Sequence, residues 1–284
     1  MKTRVQIVLT LLLAAVMVLL YAMPVKTGER TYCLPVLMYH HFDENVTADT
    51  VVSPARFREQ MTALKNAGYT TVTLAQIVDF VDHGVPLPEK AVLITMDDGY
   101  TSNLTVAAPI LEELGMCATV FVIGIYEGEK ISPNSGNQLY PARLSCEEAV
   151  KWVEKGVLDL QSNTYNMQQQ KSDGFSGRDG ILPMAGEEDA AYRAALFEDT
   201  RMFADRRAQY GIKTRLLALA YPYGFFDSAA DEILREVGFR VTFTVKEHSN
   251  LLRVGDERSL WNMGRLNVTE RDSGEQLLAR LRRA

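Results

Sequence analysis

The chain has 284 residues, a net charge of −6, 47% apolar and 23% charged residues, which is an ordinary globular composition. The acidic balance argues against nucleic acid as a partner. Three cysteines (Cys33, Cys117, Cys146) with no Cys-x-x-Cys argue against a thiolate metal centre or redox motif.

Lys2 and Arg4 precede Val5–Met23, an apolar run broken only by Gln6 and Thr10. It is long enough to cross a hydrocarbon layer as a helix and longer than a usual signal-peptide core. The expectation is an uncleaved signal anchor over 1–23, a cleaved signal peptide being the alternative. The early cations keep the amino terminus inside and leave the protein membrane-anchored, with its domain on the extracytoplasmic side. Residues 24–33 read as a linker and 34–284 as one domain.

Leu34–Tyr39 reads as the first domain strand and ends in His40-His41. Ser53-Pro54 starts a helix whose apolar face is Phe57, Met61 and Leu64. Tyr69–Val72 is a short strand and Leu74–His83 a second helix ended by Gly84. Ala91–Thr95 is an apolar run typical of a strand buried on both faces. Asp97 and Asp98 close it, and Gly99 allows a tight turn. A helix over Thr101–Leu114 and a strand over Met116–Ile123 follow, then a polar loop, Tyr126–Arg143. Ser145 and Glu148 form a capping box for a helix to Lys155. A strand from Val157 leads into polar sequence up to Gln168, and a Gly-rich stretch runs from Lys171 to Gly186. Glu187–Tyr210 is the longest helix. Leu216–Tyr221 is a strand, Ser228–Val237 a helix, and Val241–Val245 and Gly264–Val268 are strands. Leu277, Leu278 and Leu281 give a terminal helix its apolar side. Strands alternating with helices predict an α/β fold with a parallel sheet or barrel.

Two adjacent carboxylates at the end of a buried strand suit two roles, one binding a metal and one taking a proton. An ordinary Asp-Asp-Gly turn is the plain alternative. The wider context comes from four stretches: Thr95-Met96-Asp97-Asp98-Gly99, Leu37-Met38-Tyr39-His40-His41-Phe42, Ser162-Asn163-Thr164-Tyr165-Asn166-Met167-Gln168 and Tyr221-Pro222-Tyr223-Gly224. Together they resemble the polysaccharide deacetylase family, the NodB-homology carbohydrate esterases, and in particular its exopolysaccharide (poly-N-acetylglucosamine) deacetylase branch. The resemblance covers roughly residues 34–268.

It implies a distorted (β/α) barrel with a cleft at the carboxyl ends of the strands. It implies Asp97 as catalytic base, Asp98 as metal ligand and His40 as general acid. The Tyr223 backbone N–H would hold the oxyanion, and Tyr165, Pro222 and Tyr223 would line the sugar site. The cofactor it implies is a divalent, zinc-like metal, and the partner is a cell-surface N-acetylated polysaccharide. Two departures matter. Asn163 and Gln168 stand where the branch has metal-binding histidines, and Ala220 stands where many members carry an arginine that sets the catalytic Asp. One carboxylate and two amides make a poor zinc donor set. Two functions remain open: hydrolysis of N-acetyl groups, or a membrane-tethered pseudoenzyme that binds the glycan. Changing Asn163 and Gln168 together to His is expected to rebuild a three-ligand metal site.

Overall fold

The computed structural model describes residues 30–45, 48–128, 141–170, 172 and 177–283. The run read as a membrane anchor lies outside these residues. Among the described residues no helix is long and apolar enough to cross a membrane.

The centre of the domain is an eight-stranded sheet. Its strands are β2 (Val36–Tyr39), β5 (Thr70–Thr71), β6 (Ala91–Met96), β7 (Ala118–Val122), β8 (Leu158–Ser162), β9 (Ala218–Ala220), β10 (Val241–Phe243) and β12 (Leu266–Asn267). They run β10-β9-β8-β7-β6-β2-β12, with β5 beside the start of β6, and every pair is parallel. All six residues of β6 are buried, as a central parallel strand covered on both faces requires. Val92, Ile94 and Met96 join one apolar cluster with Phe57, Met61 and Leu64, whereas Ala91 and Leu93 join the other with Phe121, Leu219 and Phe243. This is the alternation of faces expected of a strand.

The sheet curls until its two edges share one segment. Met263 bridges Phe243 of β10 in parallel, and Leu266 pairs with Leu37 of β2 three residues later. This curled parallel sheet with helices agrees with the (β/α) architecture expected from the sequence.

Side-chain caps set most of the helix starts. Ser53 accepts from the Arg56 N–H at the start of α1 (Pro54–Asn66). Thr73 and Gln76 form a capping box on α2 (Leu74–His83), and Gly84 ends it in the left-handed region. The stretch expected as helix over Thr101–Leu114 is helical throughout, with a π-helical turn over Asn103–Ala107 leading into α3 (Ala108–Leu114). On α4 (Cys146–Glu154) the expected box is half made: Ser145 accepts from the Glu148 N–H, but the Glu148 carboxylate takes the Ser145 hydroxyl instead of reaching back to the backbone. The remaining α-helices among the described residues are α5 (Asp189–Gln209), α6 (Ser228–Val237) and α7 (Gly274–Leu281).

Thr31–Cys33, read as the end of a linker, forms β1 and pairs antiparallel with β11 (Leu251–Arg253). His41–Phe42 (β3) pairs with Val51–Val52 (β4). Cys33 is exposed, Cys117 half-buried and Cys146 buried, and none of them is in a disulfide among the described residues.

Candidate active site

The site gathers at the carboxyl ends of the parallel strands. Tyr39 and Met96 are register partners, and the Asp97 N–H donates to the Tyr39 carbonyl at 2.9 Å. His40 and Asp97 therefore leave neighbouring strand ends together. The His40 carbonyl is held by Asn103 Nδ2 at 2.8 Å, while His40 Nδ1 is buried with no hydrogen-bond partner.

Asp98 and Gly99 both have positive φ, 69° and 63°. This left-handed step ends the strand and turns the two carboxylates apart. A Cβ at Gly99 would meet the Val122 backbone and side chain at 3.2–3.3 Å, so glycine serves both the turn and the close approach to β7. Asp98 carries the same backbone conformation at a cost a non-glycine residue must have offset. Part of that offset is the Leu144 N–H donating to the Gly99 carbonyl at 2.9 Å and the Arg143 Nη1 donating to the Asp98 carbonyl at 2.8 Å.

Asp97 is 5% exposed. Arg265, 1% exposed, grips it with two parallel bonds: Nη1 to Oδ1 at 2.5 Å and Nη2 to Oδ2 at 2.6 Å. The Arg265 Nε–H donates to the Thr244 carbonyl at 2.9 Å. Arg265 lies on the segment where the sheet meets itself. It does the orienting that the resemblance assigned to an arginine in the place of Ala220. A lone arginine in the strand-like run Gly264-Arg265-Leu266-Asn267-Val268 was the available signal. Each Asp97 oxygen keeps a second lone pair, so the carboxylate can still accept a proton or a water hydrogen bond.

Asp98 has different surroundings. Asn163, 2% exposed at the end of β8, donates through Nδ2 to Asp98 Oδ1 at 3.3 Å. The Tyr100 hydroxyl donates to Oδ2 at 3.2 Å, and Arg143 Nη1 stands 3.7 Å from Oδ2. The Arg143 guanidinium lies 4.0 Å from the Tyr100 ring centre. Burial and the Asp98 charge push the Tyr100 phenol well above its usual range. The residues present do not fit a zinc-like cation: the neighbour of Asp98 is the neutral Asn163 amide, a weaker donor than imidazole, and a guanidinium already sits beside the carboxylate. Among the described residues no group of three His, Cys, Asp or Glu side chains is placed to hold a metal. Gln168 is half-buried, and its Oε1 is buried without a partner.

His41 is otherwise engaged. The Ser102 hydroxyl accepts from the Phe42 N–H at 3.0 Å and shares a hydrogen bond with His41 Nδ1 at 2.8 Å. Burial lowers the His41 pKa below that of a free imidazole, and its ring packs on Tyr100 at 4.9 Å.

The turn bearing Thr164 to Met167 is clamped from α5. Asp199 accepts from the Tyr165 and Asn166 N–H groups, both at 2.7 Å. Burial lifts its carboxyl to about 6. A Cβ on Gly124 would collide with the Tyr165 ring, so that ring is fitted against backbone. Asp199→Ala orphans two N–H groups at roughly 1–3 kcal/mol each. It also relieves the burial cost recorded in the raised pKa. The expected net loss at pH 7 is about 1–3 kcal/mol, read by denaturant unfolding. In the native protein the same group adds stability as pH falls from about 6 towards its unfolded value near 3.8, because the folded state then binds the proton more tightly.

Pro222-Tyr223-Gly224 follows β9. Tyr223 has φ 56° and is 42% exposed, so its ring is open to solvent at the strand ends. A Cβ on Gly180 would meet the Pro222 carbonyl at 2.9 Å, which puts the loop around Arg178 and Asp179 against this motif. Buried Tyr221 anchors the motif from below by donating to Asp231.

The profile of the family described as polysaccharide deacetylase matches residues 84–242. YxkH of Bacillus subtilis (strain 168), itself described only as a candidate polysaccharide deacetylase, is 26% identical over 222 residues, 78% of this chain and 67% of that protein. The poly-beta-1,6-N-acetyl-D-glucosamine N-deacetylase of Escherichia coli (strain K12) is 26% identical over 74% of this chain, which spans 33% of that enzyme. The solved structure of IcaB from Ammonifex degensii superposes with a TM-score of 0.70 at 28% identity, covering 87% of this chain and 96% of that one.

Proposed function

The chain belongs to the polysaccharide deacetylase family, and from that premise we propose that its cleft takes a cell-surface N-acetylhexosamine polysaccharide and hydrolyses its N-acetyl groups. The observation that carries this reading is a buried carboxylate, Asp97, fixed by Arg265 at the strand ends beside His40. Water adds to the acetamide carbonyl while Asp97 takes its proton. His40 gives a proton to the departing amine, and the carbon–nitrogen bond breaks to leave acetate and a free amino sugar. The Tyr223 N–H serves the developing oxyanion, and Tyr165 and the exposed Tyr223 ring offer faces for the sugar. The relatives named for poly-N-acetylglucosamine support the substrate class. The apolar amino-terminal run would hold the domain on the outer face, where such a polymer lies.

A second reading, glycan binding without turnover, is favoured by the Asp98 contacts, which supply no Lewis acid. Acetate release from an N-acetylglucosamine oligomer, measured beside binding of the same oligomer, decides between the two. Turnover is the expected result; binding with no acetate assigns the chain to the second reading.

A further inference from the structure

The Asp98 surroundings admit a more specific account, which rests on reading this cleft as a deacetylase-type site. We propose that the Arg143 guanidinium holds the place of the divalent cation: it neutralises Asp98 from within the chain, keeps metal out, and presents a hydrogen-bonding cation to the acetamide oxygen of the glycan.

Four observations meet here. Arg143 Nη1 lies 2.8 Å from the Asp98 carbonyl and 3.7 Å from its carboxylate. The guanidinium is stacked on Tyr100, whose hydroxyl donates to the same carboxylate oxygen. The other oxygen receives the Asn163 amide N–H. Finally, the backbone at Arg143 is fixed: Tyr100 and Arg143 form an antiparallel bridge, the Thr101 N–H donates to the Ala142 carbonyl at 2.8 Å, and the Leu144 N–H donates to Gly99. Arg143 is thus built into the Asp-Asp-Gly turn and does not merely lie near it.

The charge argument is direct. A carboxylate binds a divalent ion less well when a cation already stands beside it. Here a permanent positive charge is within ion-pair distance of Asp98. Each carboxylate oxygen also faces one donor, and these donors compete with a metal for the remaining lone pairs. An arginine cannot shed that charge to make room. The Arg143 side chain is 16% exposed, so part of it reaches solvent beside Asp98. Its planar fork of donors suits a carbonyl oxygen, although it cannot activate water as a metal does.

The two-histidine exchange suggested by the sequence is therefore insufficient by itself. The test is a zinc titration of the full chain against a chromophoric chelator, with elemental analysis of the loaded protein. The natural chain and N163H/Q168H should both lack stoichiometric zinc. N163H/Q168H/R143Q should bind one zinc at least about 100-fold more tightly than N163H/Q168H, because a like charge a few ångströms away has gone. N163H/Q168H/R143K keeps the charge and should still exclude zinc, which separates charge from packing. Thermal melts confirm that each variant is folded.

Stoichiometric zinc in the natural chain, lost in Asp98→Ala, overturns the proposal. So does equal zinc affinity in N163H/Q168H with and without Arg143. No glycan enters this titration, so its outcome is independent of whether the natural chain releases acetate.

Discussion

Arg265→Met should destabilise the domain by about 3–5 kcal/mol, the range for removing one partner of a buried ion pair. Arg265 and Asp97 are both almost wholly excluded from solvent and bonded through two parallel contacts. Methionine fills much of the arginine volume, so little of the loss comes from a cavity. The dominant cost is an unpaired carboxylate, together with the Thr244 carbonyl left without its donor. Chemical denaturation of the variant measures this directly. Asp97→Leu combined with Arg265→Met removes both charges and should recover most of the loss, since buried pairs exchanged for apolar residues are often neutral. If the double variant is no more stable than Arg265→Met, the contribution of Arg265 is packing and not charge.

Asp97→Asn should lower kcat for acetate release by about 10²–10⁴-fold, the usual worth of a positioned general base. Asparagine preserves shape and one oxygen but cannot take the proton from water. KM should change little, because the interaction lost belongs to the transition state. The same substitution strands the Arg265 charge, so kcat has to be read well below the variant's own unfolding temperature. A variant that stays folded and keeps full turnover would remove Asp97 from the role of base.

The parts of this site that were legible in the sequence are the local ones. β6 is a short apolar run ending in two acids and a glycine, and strand periodicity and turn chemistry suffice to place Asp97 and Asp98 at its end. Asn163 follows β8 in the same way, and its contact with Asp98 joins the ends of strands on either side of β7. Helix caps at Ser53, Thr73 and Asp227 depend on side-chain to backbone bonds within one turn, which is why those boundaries read well. The two arginines were not legible. Arg265 reaches Asp97 only because the sheet curls until Met263 and Leu266 serve opposite edges. Arg143 reaches Asp98 through a single antiparallel bridge at the end of a polar loop. No periodicity within either segment announces its partner. The strands β1, β3, β4 and β11 escaped for a related reason: pairs of two or three residues are created by the partner, not by propensity.

The seam where the sheet meets itself also sets an order of events during synthesis. Asp97 and Arg265 are 168 positions apart. At about 5–20 residues per second, the carboxylate waits on the order of 10–30 s for its counter-ion after leaving the ribosomal catalytic centre. Until then the nascent chain can pair β6 with its early neighbours only by burying an uncompensated charge or leaving the strand end open to water. A segment that emerges late is thus the one that permits the first-made half of the cleft to close. Completion of the site waits on a segment made long after β6, and a ribosome-bound precursor that lacks Arg265 holds its prospective base in water until then.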